Sequence, residues 1–128
     1  MAIGFQIIFR AEDDQVLAPT LAKRRLLAGI LLEIGRARGL FAFGVADTHG
    51  HADLFGGMDV VGEFVHDLRV TVGWRLRLKL RRPEIWKIRD VWHARSLIDY
   101  SHRQSEHHGV DIDPFRECTS IRDLMGLR

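Results

Sequence analysis

An α+β fold built on one antiparallel sheet follows from three observations on this 128-residue chain. Short runs rich in β-branched and aromatic residues, such as Phe5-Gln6-Ile7-Ile8-Phe9, are interleaved with longer stretches whose apolar residues recur every three or four positions. These runs fall in the order strand, helix, strand, strand, helix, strand, helix. Hydrophobic residues make up 46% and charged residues 28%, so one core can form and a disordered or fibrous chain is excluded.

The first strand spans Ile3 to Arg10 and ends in the polar turn Glu12-Asp13-Asp14-Gln15. From Pro19, which suits a first helical turn, Leu21, Leu26, Leu27, Ile30, Leu31 and Ile34 draw one apolar stripe that stops near Gly39. Leu40 to Ala46 is a second strand. Asp47-Thr48 bends it into a third, which carries His49, His51, Asp53 and Phe55 and is closed by Gly56 and Gly57. A second helix follows, with Val60, Val61, Phe64, Val65, Leu68 and Val72 on one side.

Trp74 to Arg81 alternates like a strand, yet its position after a helix favours a basic helical continuation, and that reading is adopted. Pro83 interrupts, and Glu84 to Val91 alternates as a half-buried strand should. A last helix runs from about His93 to His108 and is stopped by Gly109; the tail holds Pro114 and an apolar stretch, Ile121, Leu124 and Met125, expected to pack back on the domain. With no repeat or linker, residues 1–128 read as a single domain. Split β-α-β units of this kind make a ferredoxin-like sandwich, a four-stranded antiparallel sheet with helices on one face. That fold hosts many activities, so function has to come from a site.

The formal net charge is only +2, but the basic residues cluster. Arg24 and Arg25 adjoin Lys23, and Arg75, Arg77 and Lys79 open the densest run; neighbouring cations of this kind suit a polyanion, whose condensed counterions they release. Cys118 is the only cysteine, which excludes an intrachain disulfide framework. Neither a secretory leader nor a membrane-spanning run is visible, so a cytoplasmic protein is expected.

Side chains two apart on a strand share a face, so His49 and His51 can share a divalent metal. On the final helix Leu97, Tyr100, Gln104 and His107 or His108 recur at three- and four-residue steps and share a face as well. A phenol, a carboxamide oxygen and two imidazoles together suit phosphoryl transfer, with a cation to draw off charge and a nucleophile to attack. Each piece also has a plain structural use. The histidines can sit satisfied at a strand edge, Tyr100 can fill the core, and His107-His108 can favour a helix C-terminus. Trp74, Trp86 and Trp92 suit the core more readily than base stacking.

His49-Gly50-His51 after a strand, then a helix and strand, then Tyr100-Ser101-His102-Arg103-Gln104, resembles the single-tyrosine HUH transposases and their REP-associated tyrosine transposase relatives. The resemblance spans nearly the whole chain, though Gly50 stands where that family has a bulky apolar residue and Asp47-Thr48 where it has Pro-Asn. It implies a dimeric, metal-dependent endonuclease and strand transferase for single-stranded or hairpin DNA, associated with the nucleoid. Tyr100 would form a covalent 5′-phosphotyrosine, with His49, His51 and Gln104 holding Mg or Mn. Arg24, Arg25, Arg75, Arg77 and Lys79 would bind DNA. The alternatives are a non-catalytic, domesticated nucleic-acid-binding protein on the same fold and a metal-dependent phosphoesterase acting without a covalent intermediate.

Overall fold

The computed structural model describes residues 2–13 and 15–98. Strand β1 (Gly4–Arg10) leads to helix α1 (Leu21–Gly35), strands β2 (Leu40–Val45) and β3 (His49–Phe55), helix α2 (Met58–Arg75) and strand β4 (Glu84–Ile88). The sheet order is β2-β3-β1-β4, with every neighbouring pair antiparallel. This is the ferredoxin-like α+β sandwich that the order of elements predicts. No helix among the described residues is long and apolar enough to cross a membrane.

Local chemistry sets the element ends. The Thr20 side chain accepts a hydrogen bond from the Lys23 backbone N–H at 3.2 Å and caps α1. Past α1 a 3₁₀ turn, Arg36–Arg38, ends at Gly39, whose φ of 76° is left-handed. A Cβ there would lie 2.5 Å from the Phe55 carbonyl oxygen, so only glycine lets the chain turn this close to β3. Arg38 donates to the Ile34 carbonyl at 2.7 Å and to the Asp67 carboxylate at 2.6 Å, which ties the end of α1 to α2.

Phe5, Ile7 and Phe9 of β1, Phe43 and Val45 of β2, and Ala52 and Leu54 of β3 turn to the inner face, where they meet Leu27, Ile30 and Leu31 of α1 and Val61, Phe64, Leu68 and Val72 of α2. This is the core, and each large side chain fully buried in it contributes about 1.5–3 kcal/mol.

The strand expected over Glu84 to Val91 ends at Ile88, with helix from Val91, and the helix expected over Trp74 to Arg81 stops early. Of Trp74 to Arg81 only the first two residues continue the helix: α2 ends at Arg75, Arg77 takes a left-handed φ of 55°, and Leu80 forms an antiparallel bridge with Ala11. The Glu12 N–H donates to the Lys79 carbonyl and the Arg81 N–H to the Arg10 carbonyl, so residues 79–81 extend the sheet edge. Their alternation is that of a strand, with Leu80 2% exposed between two exposed cations. Sheet pairing and burial of Leu80 outweigh continuation of a helix that would point its leucines all round.

Candidate nucleic-acid interface

The face of the sheet away from α1 and α2 carries the polar residues. β3 begins at His49, so His49, His51 and Asp53 project outward while Gly50, Ala52 and Leu54 project toward the core. Register places Arg10 beside His49, Ile8 beside His51 and Gln6 beside Asp53. On the other flank, Gly44 lies opposite His51 and Ala42 opposite Asp53, small residues that leave room over the imidazole and the carboxylate.

Gly50 is compensated from the neighbouring strand. Phe9 is its register partner, and a Cβ on Gly50 would stand 2.5 Å from Phe9 Cζ. The ring occupies the space a larger residue between the histidines would fill, as aromatic residues do over strand glycines. The aromatic ring opposite thus fills the space that Gly50 leaves empty in β3.

His51 is 2% exposed and Asp53 fully buried, an unusual place for both. Asp53 Oδ2 lies 3.8 Å from His51 Nε2. Burial pushes the Asp53 carboxyl up to about 7, and the Gln6 amide across the ladder opposes that shift without forming a well-aligned hydrogen bond. His49 is half-buried, with its Nδ1 3.2 Å from the Thr48 hydroxyl, a contact that orients the ring.

The two histidines open on one pocket of about 210 Å³, lined by Gln6, Ile8, His49, His51 and Leu97. Leu97 belongs to the helical residues 91–98. Asp90 anchors the start of that helix: its carboxylate accepts from the His93 N–H at 2.8 Å, while the Arg89 N–H donates back to His93 Nδ1 at 3.1 Å. A helix so pinned carries Leu97 across the outer face to the histidines. Tyr100 and Gln104 lie outside the described residues.

Two imidazoles lining one pocket suit a divalent ion, and a buried carboxylate stands 3.8 Å from one of them, beyond hydrogen-bond reach. Among the described residues no three His, Cys, Asp or Glu side chains are grouped to hold a metal.

The basic residues singled out from sequence are spread over the molecule. Arg24 donates to the Ala18 carbonyl at 3.1 Å, Arg75 pairs with Glu33 at 3.6 Å and Lys79 with Glu12 at 3.7 Å. Arg25 and Arg77 are exposed. Sequence reasoning did not single out Arg10, which only the β1–β3 register brings beside His49, nor Asp53 as a partner of His51, which strand alternation alone would have signalled. It also favoured the core for the tryptophans, whereas Trp74, Trp86 and Trp92 are 74%, 59% and 74% exposed. Trp86, in register with Gln6, stands on the outer face.

No protein-family model and no curated protein matches the sequence. Among solved structures, that of a REP-associated tyrosine transposase bound to a REP hairpin is similar, with a TM-score of 0.64 and 16% identity over 100% of this chain and 84% of that one. At this identity the likeness is one of fold.

Proposed function

We propose that this chain is a metal-dependent endonuclease and strand transferase of transposase type, acting on single-stranded or hairpin DNA through Tyr100. The observation that carries the reading is the outer-face pocket, where His49 and His51 converge beneath Leu97. Tyr100 and Gln104 follow Leu97 at three and seven residues in sequence, the spacing of one helix face. The likeness in fold to a transposase bound to a DNA hairpin supports the class of partner.

In this reading His49, His51 and Gln104 would hold Mg or Mn, and a metal so held would supply charge withdrawal at a phosphate oxygen. Asp53, 3.8 Å from His51 Nε2, would orient that ring only by closing to hydrogen-bond distance. The exposed ring of Trp86 offers a base a stacking surface. The Tyr100 phenol oxygen attacks phosphorus and the bond to the 3′-oxygen breaks. Tyr100 is left as a 5′-phosphotyrosine ester, and the phenol proton ends, through solvent, on the departing 3′-oxygen as a free hydroxyl. A homodimer, with the tyrosine helix of one protomer against its partner's histidines, belongs to the same proposal.

A second reading is a nucleic-acid binder without catalysis, for which the exposed Arg10 and Trp86 of the outer face would suffice. One experiment separates the two. Incubating the protein with labelled single-stranded hairpin DNA and Mn should give a denaturation-resistant adduct that Tyr100→Phe abolishes. His51→Ala should lose both the adduct and calorimetric Mn binding. No adduct across diverse hairpins selects the binder, and hydrolysis that survives Tyr100→Phe but not His51→Ala selects a phosphoesterase.

A further inference from the structure

The histidine pocket does not end at the histidines. Ile8 lines it and also lines a second hollow of about 110 Å³, whose other walls are Arg10, Arg81, Arg82 and Glu84. Register explains the cluster. Arg10 is beside His49 on β1, and the Arg81 N–H donates to the Arg10 carbonyl at 2.9 Å, so His49, Arg10 and Arg81 form one row across three neighbouring segments. With strands about 4.8 Å apart, Arg81 is about 10 Å from His49 along that row.

A local irregularity adds the third arginine. Arg81 bonds to Arg10 and Glu84 is the partner of Ile8, so Arg82 and Pro83 together oppose Phe9 alone. Such a bulge inserts an extra side chain at a sheet edge, and Pro83, which has no N–H to offer a ladder, suits it.

These guanidiniums differ from the paired cations elsewhere. Arg38, Arg75 and Lys79 each have a carboxylate oxygen within 4 Å. Among the described residues Arg10, Arg81 and Arg82 form no such ion pair, although Glu84 lines the same hollow and Glu12 and Asp13 line an adjoining one with Arg81 and Arg82. Three exposed planar forks converge there, and guanidinium forks match phosphate oxygens two at a time.

We propose that Arg10, Arg81 and Arg82 form a phosphate subsite that holds the backbone of a single nucleic-acid strand, one phosphate along from the one presented to His49 and His51. The subsite rests on the nucleic-acid reading above and adds the path of the strand, from the histidines across Ile8 toward the β4 edge. Glu84 limits its affinity and keeps the bound strand exchangeable.

The test is fluorescence anisotropy with a labelled oligothymidylate in EDTA, across a salt series. Replacing Arg10, Arg81 and Arg82 together by alanine should weaken binding about tenfold and lower the slope of log affinity against log salt by about 0.7 for each phosphate left without its guanidinium. Arg69→Ala, an exposed cation on α2, should change neither by more than about twofold. Glu84→Gln should tighten binding about two- to fivefold, a gain that loss of folding cannot mimic. An unchanged slope in the triple variant, an equal loss in Arg69→Ala, or weaker binding in Glu84→Gln would overturn the subsite. Oligonucleotide binding does not require Tyr100, so an adduct that forms normally with an unchanged slope removes the subsite alone, whereas a lowered slope without any adduct removes the catalytic reading alone.

Discussion

The two faces of the sheet are built from the same strands, residue by residue in alternation, and they have opposite characters. Toward the helices stand Phe5, Ile7, Phe9, Phe43, Val45, Ala52 and Leu54; on the other side stand Gln6, Ile8, Arg10, His49, His51, Asp53 and Trp86. The inner face buries only groups that water expels. On the outer face an imidazole and a carboxylate are just as buried, at 2% and 0% exposure, where stability alone would select leucine or valine. One face therefore holds the fold together, and the other buries polar groups at a cost in stability. Local departures of this kind mark functional sites.

The largest expected effect tests where the stability resides. Phe64→Ala, at a fully buried site on α2, should lower unfolding free energy by about 3–5 kcal/mol in urea titrations. Trp86→Ala, on the outer face and 59% exposed, should cost under about 1 kcal/mol. Equal losses would break the contrast between the faces.

The next effect sharpens the contrast through pH. Folded Asp53 has its pKa raised to about 7, above the roughly 3.9 of an unfolded chain. Between those values the folded state keeps a proton that the unfolded chain has released, so this contribution to stability is complete below about pH 4 and lost as pH rises through about 7. The loss is about 1.4 kcal/mol per pH unit and about 4 kcal/mol in all. His51 and Gln6 are the polar groups beside Asp53, and both remain in Asp53→Asn. Urea midpoints in EDTA from pH 4.5 to 8 should therefore fall more steeply for the wild type than for Asp53→Asn. Parallel curves would show that Asp53 is ionised throughout.

The inner face was the legible one. Alternation in Phe5-Gln6-Ile7-Ile8-Phe9 and the three- and four-residue steps of Val61, Phe64, Leu68 and Val72 identify their own elements, because burial imposes the period. Alternation also puts His49 and His51 on one side of β3. Three things were not legible. Pairing register is a long-range property, so neither Arg10 beside His49 nor Phe9 over Gly50 can be read from either strand alone. The stretch from Trp74 to Arg81 fits two periods, and only the partner edge, with Leu80 against Ala11, decides between them. The exposure of the tryptophans reverses an expectation based on residue type, since a ring that suits the core also suits a binding surface. Tyr100 and Gln104 rest on helical spacing alone.

Gly50 is where the two faces meet in one residue, and the smallest expected effect is sought there. It lies between the two histidines but faces the core, so the outer site depends on how the inner face fills the missing side chain. Phe9 fills it, with ring atoms 2.5 and 2.7 Å from where a Cβ would be. Gly50→Val should therefore destabilise the protein by about 1–3 kcal/mol through overpacking, although valine is the better strand residue. Phe9→Leu in the same chain should return about 1 kcal/mol of that loss, because the two changes share one space and do not add. If the ring acts as the absent side chain, the Phe9→Leu/Gly50→Val double variant should bind Mn as the wild type does, whereas Gly50→Val alone should bind it more weakly. Additive stabilities in this pair, measured by urea titration, would mean that Phe9 merely lies near Gly50 and that β3 holds its histidines in place by backbone pairing alone.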